Sequence, residues 1–150
     1  MSPIETCKTI FLHPVFFICF LHIFYICRCM LQGNFFTIRT IEPAEGLIRA
    51  RLEINPAHHI FEGHFPSTPV VPGVCMLQMV KETIENVIGR DTRLERSDHM
   101  KFLAVINPAE TNMVQLDIRY TLSEKRHITA VASLFNGEVT YFKFKGLFHS

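Results

Sequence analysis

Leu47, Arg49, Arg51 and Glu53 interleave with Ile48, Ala50, Leu52 and Ile54, the two-residue period of a strand with one buried face. Phe35 to Glu42 alternates in part, with Phe36, Ile38 and Ile41 among polar neighbours. Glu42-Pro43-Ala44-Glu45-Gly46 between the two stretches is turn chemistry, so they predict a hairpin that Asn55-Pro56 ends. Residues 56–73 then carry Pro56, Pro66, Pro69 and Pro72 with Gly63 and Gly73. Such a run excludes regular helix and central strand and predicts a structured loop. From Pro72 the period changes: Leu77, Val80, Ile84, Val87 and Ile88 recur at three- and four-residue intervals until Gly89, which predicts a helix with proline at its start. Val74, Cys75, Met76 and Met79 make its first half apolar on nearly every side, so it should be buried and wrapped by other elements.

Four strand-like stretches follow the polar turn Gly89-Arg90-Asp91: Leu94–Val105, Met113–Leu122, His127–Phe135 and Val139–Phe148. Asn107-Pro108-Ala109-Glu110, Ser123-Glu124-Lys125-Arg126 and Asn136-Gly137 separate them, the last a strong two-residue hairpin signal. Two strands, a loop, one buried helix and four antiparallel strands make an α+β layout. A curved antiparallel sheet wrapped around one central helix is the hot-dog fold, whose open face and edge usually call for a partner subunit.

Composition changes this picture at one end only. The chain of 150 residues is 48% hydrophobic with a net charge of +1, which excludes disorder and a general field for nucleic acid. The excess of apolar residues sits in 1–29, together with Cys7, Cys19, Cys27 and Cys29, four of the five cysteines. Only Glu5, Lys8 and Arg28 are charged there, so the body from Met30 onward is charge-balanced. Thr9–Cys27 carries no Asp, Glu, Lys or Arg and reaches membrane-spanning length. Pro14, His13 and His22 oppose an anchor, and no small-residue cleavage site follows Cys27, which opposes a secretory signal. The leading expectation is that 1–29 lies outside the folded domain, translation starting at Met30; a membrane anchor is the alternative. The cysteine spacing matches no zinc signature. The body, 30–150, is expected to be a cytoplasmic domain.

The chemistry-bearing stretch is His58-His59-Ile60-Phe61-Glu62-Gly63-His64-Phe65-Pro66-Ser67-Thr68-Pro69-Val70-Val71-Pro72-Gly73-Val74. It resembles the signature of the FabZ/FabA-type 3-hydroxyacyl-[acyl carrier protein] dehydratases, in which Gly-His-Phe-Pro is followed by Pro-Val-x-Pro-Gly opening the central helix. Lys101-Phe102-Leu103-Ala104-Val105-Ile106-Asn107-Pro108 continues the resemblance, which covers roughly 34–150 and none of 1–29. It implies removal of a C2 proton, charge stabilisation on the thioester oxygen and protonation of the departing C3 hydroxyl. His64 is then the base, since imidazole accepts and returns a proton near neutral pH. Gly73, with Val74, stands where the helix begins, so open backbone N–H groups there could polarise the thioester carbonyl, and glycine would let substrate approach closely. Phe65, Pro72, Cys75, Met76 and Met79 would line an acyl tunnel or belong to the core.

The family's third element is an acid fourteen residues after the histidine, normally contributed across a dimer interface; here that position is Gln78. A carboxamide orients a hydroxyl or a water but does not deliver a proton as a carboxylic acid does. Glu82, one turn on, and Glu62 are the neighbouring carboxylates. On periodicity alone Gln78 shares a face with Glu82 and Glu85 and could merely begin the solvated side. His58 and His59 read as structural, and no metal or organic cofactor is implied.

Three functions remain open on these residues: a homodimeric dehydratase acting on acyl carrier protein, a thioesterase in which Gln78 positions water, or a non-catalytic acyl-thioester-binding subunit of a heterodimer. An acidic carrier would dock on basic surface for which Lys81, Arg90, Arg93 and Arg96 are candidates.

Overall fold

In a computed structural model, residues 30–63 and 67–150 are described. Six strands and two helices follow one another: β1 (Phe36–Ala44), β2 (Leu47–Ile54), the short α1 (Ile60–Gly63), α2 (Gly73–Ile88), β3 (Arg93–Phe102), β4 (Met113–Leu122), β5 (His127–Asn136) and β6 (Val139–His149). All strand pairs are antiparallel, and the order across the sheet is β1-β2-β4-β5-β6-β3. Inward alternation in the central strands supplies the concave face: Ile48, Leu52 and Ile54, then Leu116 and Ile118, then Ile128, Ala130 and Leu134 are all fully buried. Those side chains form one core with Cys75, Met76, Met79, Val80 and Ile84 of α2. The sheet therefore wraps the helix, the α+β hot-dog arrangement expected from the sequence.

Burial on α2 runs nearly around its circumference between Cys75 and Ile84, because the chain from Leu31 to Phe36 covers the side the sheet leaves open. Leu31, Phe35 and Phe36 are each buried, and the Leu31 carbonyl accepts the N–H groups of Asn34, Phe35 and Phe36. Gly89 ends α2 in the left-handed region at φ 67° and returns its N–H to the Glu85 carbonyl.

Several sequence expectations change in detail. β1 runs on through Glu42-Pro43-Ala44, paired with Arg49, Ile48 and Leu47, which leaves Glu45-Gly46 as the turn, and β3 ends at Phe102 rather than Val105. The proline-rich run does contain a turn of helix, Ile60–Gly63, in the one stretch between Pro56 and Pro66 that lacks proline, and Ile60 and Phe61 bury themselves in the core. The last hairpin turns one residue later than Asn136-Gly137. Asn136 still pairs with Val139 and gives its side-chain N–H to the Met113 carbonyl, so Gly137, at φ 56°, opens the turn.

The edge strand β3 pairs only with β6, through two register shifts, and Glu95 to Leu103 are all exposed. Its close fit to β6 depends on Gly146, where a Cβ would lie 2.5 Å from the Arg96 carbonyl oxygen. Among the described residues, no helix is long and apolar enough to cross a membrane. The expectations for 1–29 lie outside the described residues.

Candidate active site

Pro72, extended at φ −61° and ψ 143°, stands immediately before α2, and its carbonyl accepts the first helical N–H groups, those of Cys75 and Met76. The N–H groups of Gly73 and Val74 precede the first intrahelical bond and point out of the helix end without a capping side chain. Gly73 has a packing reason as well as the expected chemical one. A Cβ on it would lie 2.5 Å from Cε1 of Phe102, whose ring leans over this point from the end of β3. The ring is half exposed and stacks on buried Phe142, with centroids 5.0 Å apart at 24°. Sequence reading missed Phe102 as a site residue because nothing in local pattern links positions so far apart.

Gln78 does not begin a solvated side. It is buried at 8% exposure, five residues into α2, and its Nε2 donates to Glu82 Oε1 at 2.8 Å. Glu82 is buried more deeply and also accepts the Leu31 N–H on Oε1 and the Gln32 N–H on Oε2, both at 2.7 Å. The face that carries these polar residues is covered by the chain at 31–32, which explains why periodicity misjudged it. Glu85 turns toward the surface, taking Lys81 Nζ at 2.7 Å and the Thr92 N–H.

The proposed tunnel residues divide. Pro72 and Met76 are buried, while Cys75 and Met79 are completely enclosed in the core. A cleft of about 530 Å³ lies elsewhere, between Met30, Gln32, Gly33 and the second half of α2 from Glu82 to Gly89, and none of the tunnel candidates lines it. His64 and Phe65 lie outside the described residues. The flanks of their loop are anchored on both sides: Phe61 sits in the core, and the buried Val71 gives its N–H to the Ile106 carbonyl at 2.9 Å.

His58 is buried with its ring edge-on to Phe35 at 5.3 Å, and Nδ1 accepts the Ile60 N–H at 3.2 Å. Burial, and secondarily the adjacent His59, lower its pKa below the ordinary 6.5. With the folded pKa depressed, both states are neutral above the unfolded value and stability is complete there. As pH falls through the unfolded pKa, the unfolded chain takes up its proton first, and stability is lost until the folded pKa is reached. Denaturation at about pH 7.5 and about pH 5.5 should therefore give a lower midpoint in acid. His58→Gln, which retains an acceptor for Ile60 but does not titrate, should shrink that difference; an unchanged difference would assign it to other histidines.

A 3-hydroxyacyl-[acyl-carrier-protein] dehydratase FabZ of Latilactobacillus sakei subsp. sakei is 32% identical over 95 residues, covering 58% of this chain and 64% of that protein. The FabZ of Petrotoga mobilis is 28% identical over 87 residues, covering 52% and 60%. The chain thus spans just under two thirds of the length of these curated relatives. Among solved structures, the dehydratase heterocomplex ApeI:P from Xenorhabdus doucetiae shares the fold with a TM-score of 0.60, at 23% identity over 75% of this chain and 96% of that one. The sequence profile described as ApeI dehydratase matches residues 40–138. With well over half of its length under that match, the chain belongs to the ApeI-like dehydratase family.

Proposed function

We propose that the protein dehydrates 3-hydroxyacyl groups carried on acyl carrier protein to the trans-2-enoyl form, in fatty-acid or related lipid synthesis in the cytoplasm. The observation that carries this reading is the start of α2: two open N–H groups at Gly73 and Val74, directly after the segment holding His64, with buried Gln78 further along the same helix. In the reaction His64 takes the C2 proton while the N–H groups at the helix start hold the charge that develops on the thioester oxygen. Gln78 accepts a hydrogen bond from the C3 hydroxyl. Because a carboxamide gives up no proton at neutral pH, the imidazolium returns the one it took. The C2–H and C3–O bonds break, the C2–C3 double bond forms and water leaves. No metal or organic cofactor enters these steps.

The family and the FabZ relatives are described as dehydratases, and no observation on α2 favours hydrolysis over elimination. A second copy covering the exposed edge of β3 gives the homodimer that the resemblance implies, while the structural neighbour, itself a dehydratase heterocomplex, makes a different second chain the alternative partner. Of the basic residues proposed for carrier docking, Lys81 and Arg96 are neutralised by Glu85 and Asp98, at 2.7 Å each. Lys101 and Lys143 are exposed directly opposite one another on β3 and β6, next to Phe102. Like charges so placed repel, and an acidic carrier would relieve the repulsion.

Incubating the full chain with 3-hydroxyacyl carrier protein and reading the product by mass spectrometry tests the reaction. Loss of one water from the acyl group is the expected result. Release of free acid would establish a thioesterase, and unchanged substrate would overturn both activities for the protein on its own.

A further inference from the structure

The carboxamide of Gln78 can face Glu82 in only one chemically sensible way. All three groups that meet the Glu82 carboxylate, Gln78 Nε2, Leu31 N and Gln32 N, are N–H donors, at 2.8, 2.7 and 2.7 Å. Turning the amide over would set its carbonyl oxygen against an oxygen that already accepts the Leu31 N–H, acceptor against acceptor. The carboxylate is itself held at two points by the backbone of residues 31–32, on a different part of the chain from α2, so it does not follow the Gln78 side chain as that side chain moves. Both residues are buried, Gln78 away from the cleft that Glu82 borders, which limits the water that competes for the amide.

From this geometry we infer that Glu82 is the positioning residue for Gln78: it takes the amide nitrogen and leaves the carbonyl oxygen Oε1 as the group Gln78 presents to the substrate. Gln78 then acts as an acceptor toward the C3 hydroxyl and cannot act as its principal donor. Glu82 is not the missing acid, because its oxygens are engaged by amide donors. The chain at 31–32 becomes part of the machinery at one remove, since it fixes Glu82. The inference rests on the placement of Gln78 in the dehydratase site, but the orientation of the amide has a readout of its own.

That readout comes from the full chain labelled with 15N-glutamine, which contains only Gln32, Gln78 and Gln115. One side-chain N–H of Gln78 should be displaced from the positions of the other two and slow to exchange, and Glu82→Leu, which offers no acceptor and adds no labelled glutamine, should return it toward them. The same variant should lower kcat about 10–100-fold with KM within about twofold, as expected for a displaced group that acts in the transition state. The double variant Gln78→Glu with Glu82→Gln reverses the pair: the amide now donates from position 82 to a carboxylate at position 78. It should recover activity relative to Glu82→Gln alone and add a carboxyl limb to the pH–rate profile. A Gln78 amide at ordinary positions in the wild type, or one that Glu82→Leu does not move, overturns the inference. So does a Glu82→Leu variant that lowers stability but leaves kcat intact. If the wild type forms no enoyl product, the dehydratase reading falls, and the amide resonance still decides the orientation.

Discussion

His64→Ala should lower enoyl formation about 10²–10⁴-fold, the usual worth of a positioned general acid–base, while the acyl carrier substrate still binds. The size of the effect follows from the double duty assigned to this imidazole. In the proposed reaction Gln78 supplies no proton and His64 would both remove the C2 proton and return it to the leaving hydroxyl, so no second group would take over in its absence. Steady-state kinetics should show the loss in kcat and a KM changed by little. The folded state should persist, since the flanks of the loop are held independently by buried Phe61 and by the Val71 to Ile106 hydrogen bond. Retention of more than about a tenth of the rate would place the base elsewhere.

Phe142→Ala should cost about 3–5 kcal/mol of stability. Phe142 is completely buried, stacks on Phe144 with centroids 6.4 Å apart and pairs in register with Leu134 on β5 and Phe102 on β3. Removing its ring opens a cavity between strands that hydrogen bonding holds in place, so collapse can recover only part of the loss. The denaturation midpoint should drop while the slope with denaturant stays as in the wild type. The variant also takes the support from beneath Phe102, the ring that lies over Gly73. Below the unfolding temperature its kcat/KM should therefore fall as well, and Phe102→Ala should reproduce the loss in activity with little loss of stability because that ring is half exposed. Normal activity in both variants would remove Phe102 from the site.

Local signals carried the sheet and the helix. The alternation of Leu47–Ile54 sets which side of β2 faces α2, and Pro72 and Gly89 bound the helix to within a residue because ring constraint and left-handed backbone freedom act within a few residues of chain. The hairpin at Asn136-Gly137 was legible as a turn but not to the residue, since the Asn136 contact to Met113 on β4 competes for the same side chain. The polarity of Gln78 and Glu82 was legible and its meaning was not. Periodicity reads polar residues as solvated, whereas here the chain at 31–32 brings two backbone donors to Glu82, and Gln78 adds its side-chain N–H.

From the sequence alone came the strand and helix layout, encoded in residue spacing along the chain, and the His64 motif, whose family resemblance marks Gln78 as standing at the acid position. Tertiary structure alone decided that Phe102 covers Gly73, that Glu82 is anchored by residues 31–32, and that Gln78 faces it with its amide nitrogen. The first two contacts join segments some 30 to 50 residues apart, where local sequence pattern carries no information and only packing and hydrogen-bond satisfaction choose partners; Gln78 and Glu82 are four residues apart on one helix, but the distant chain at 31–32 sets how they meet.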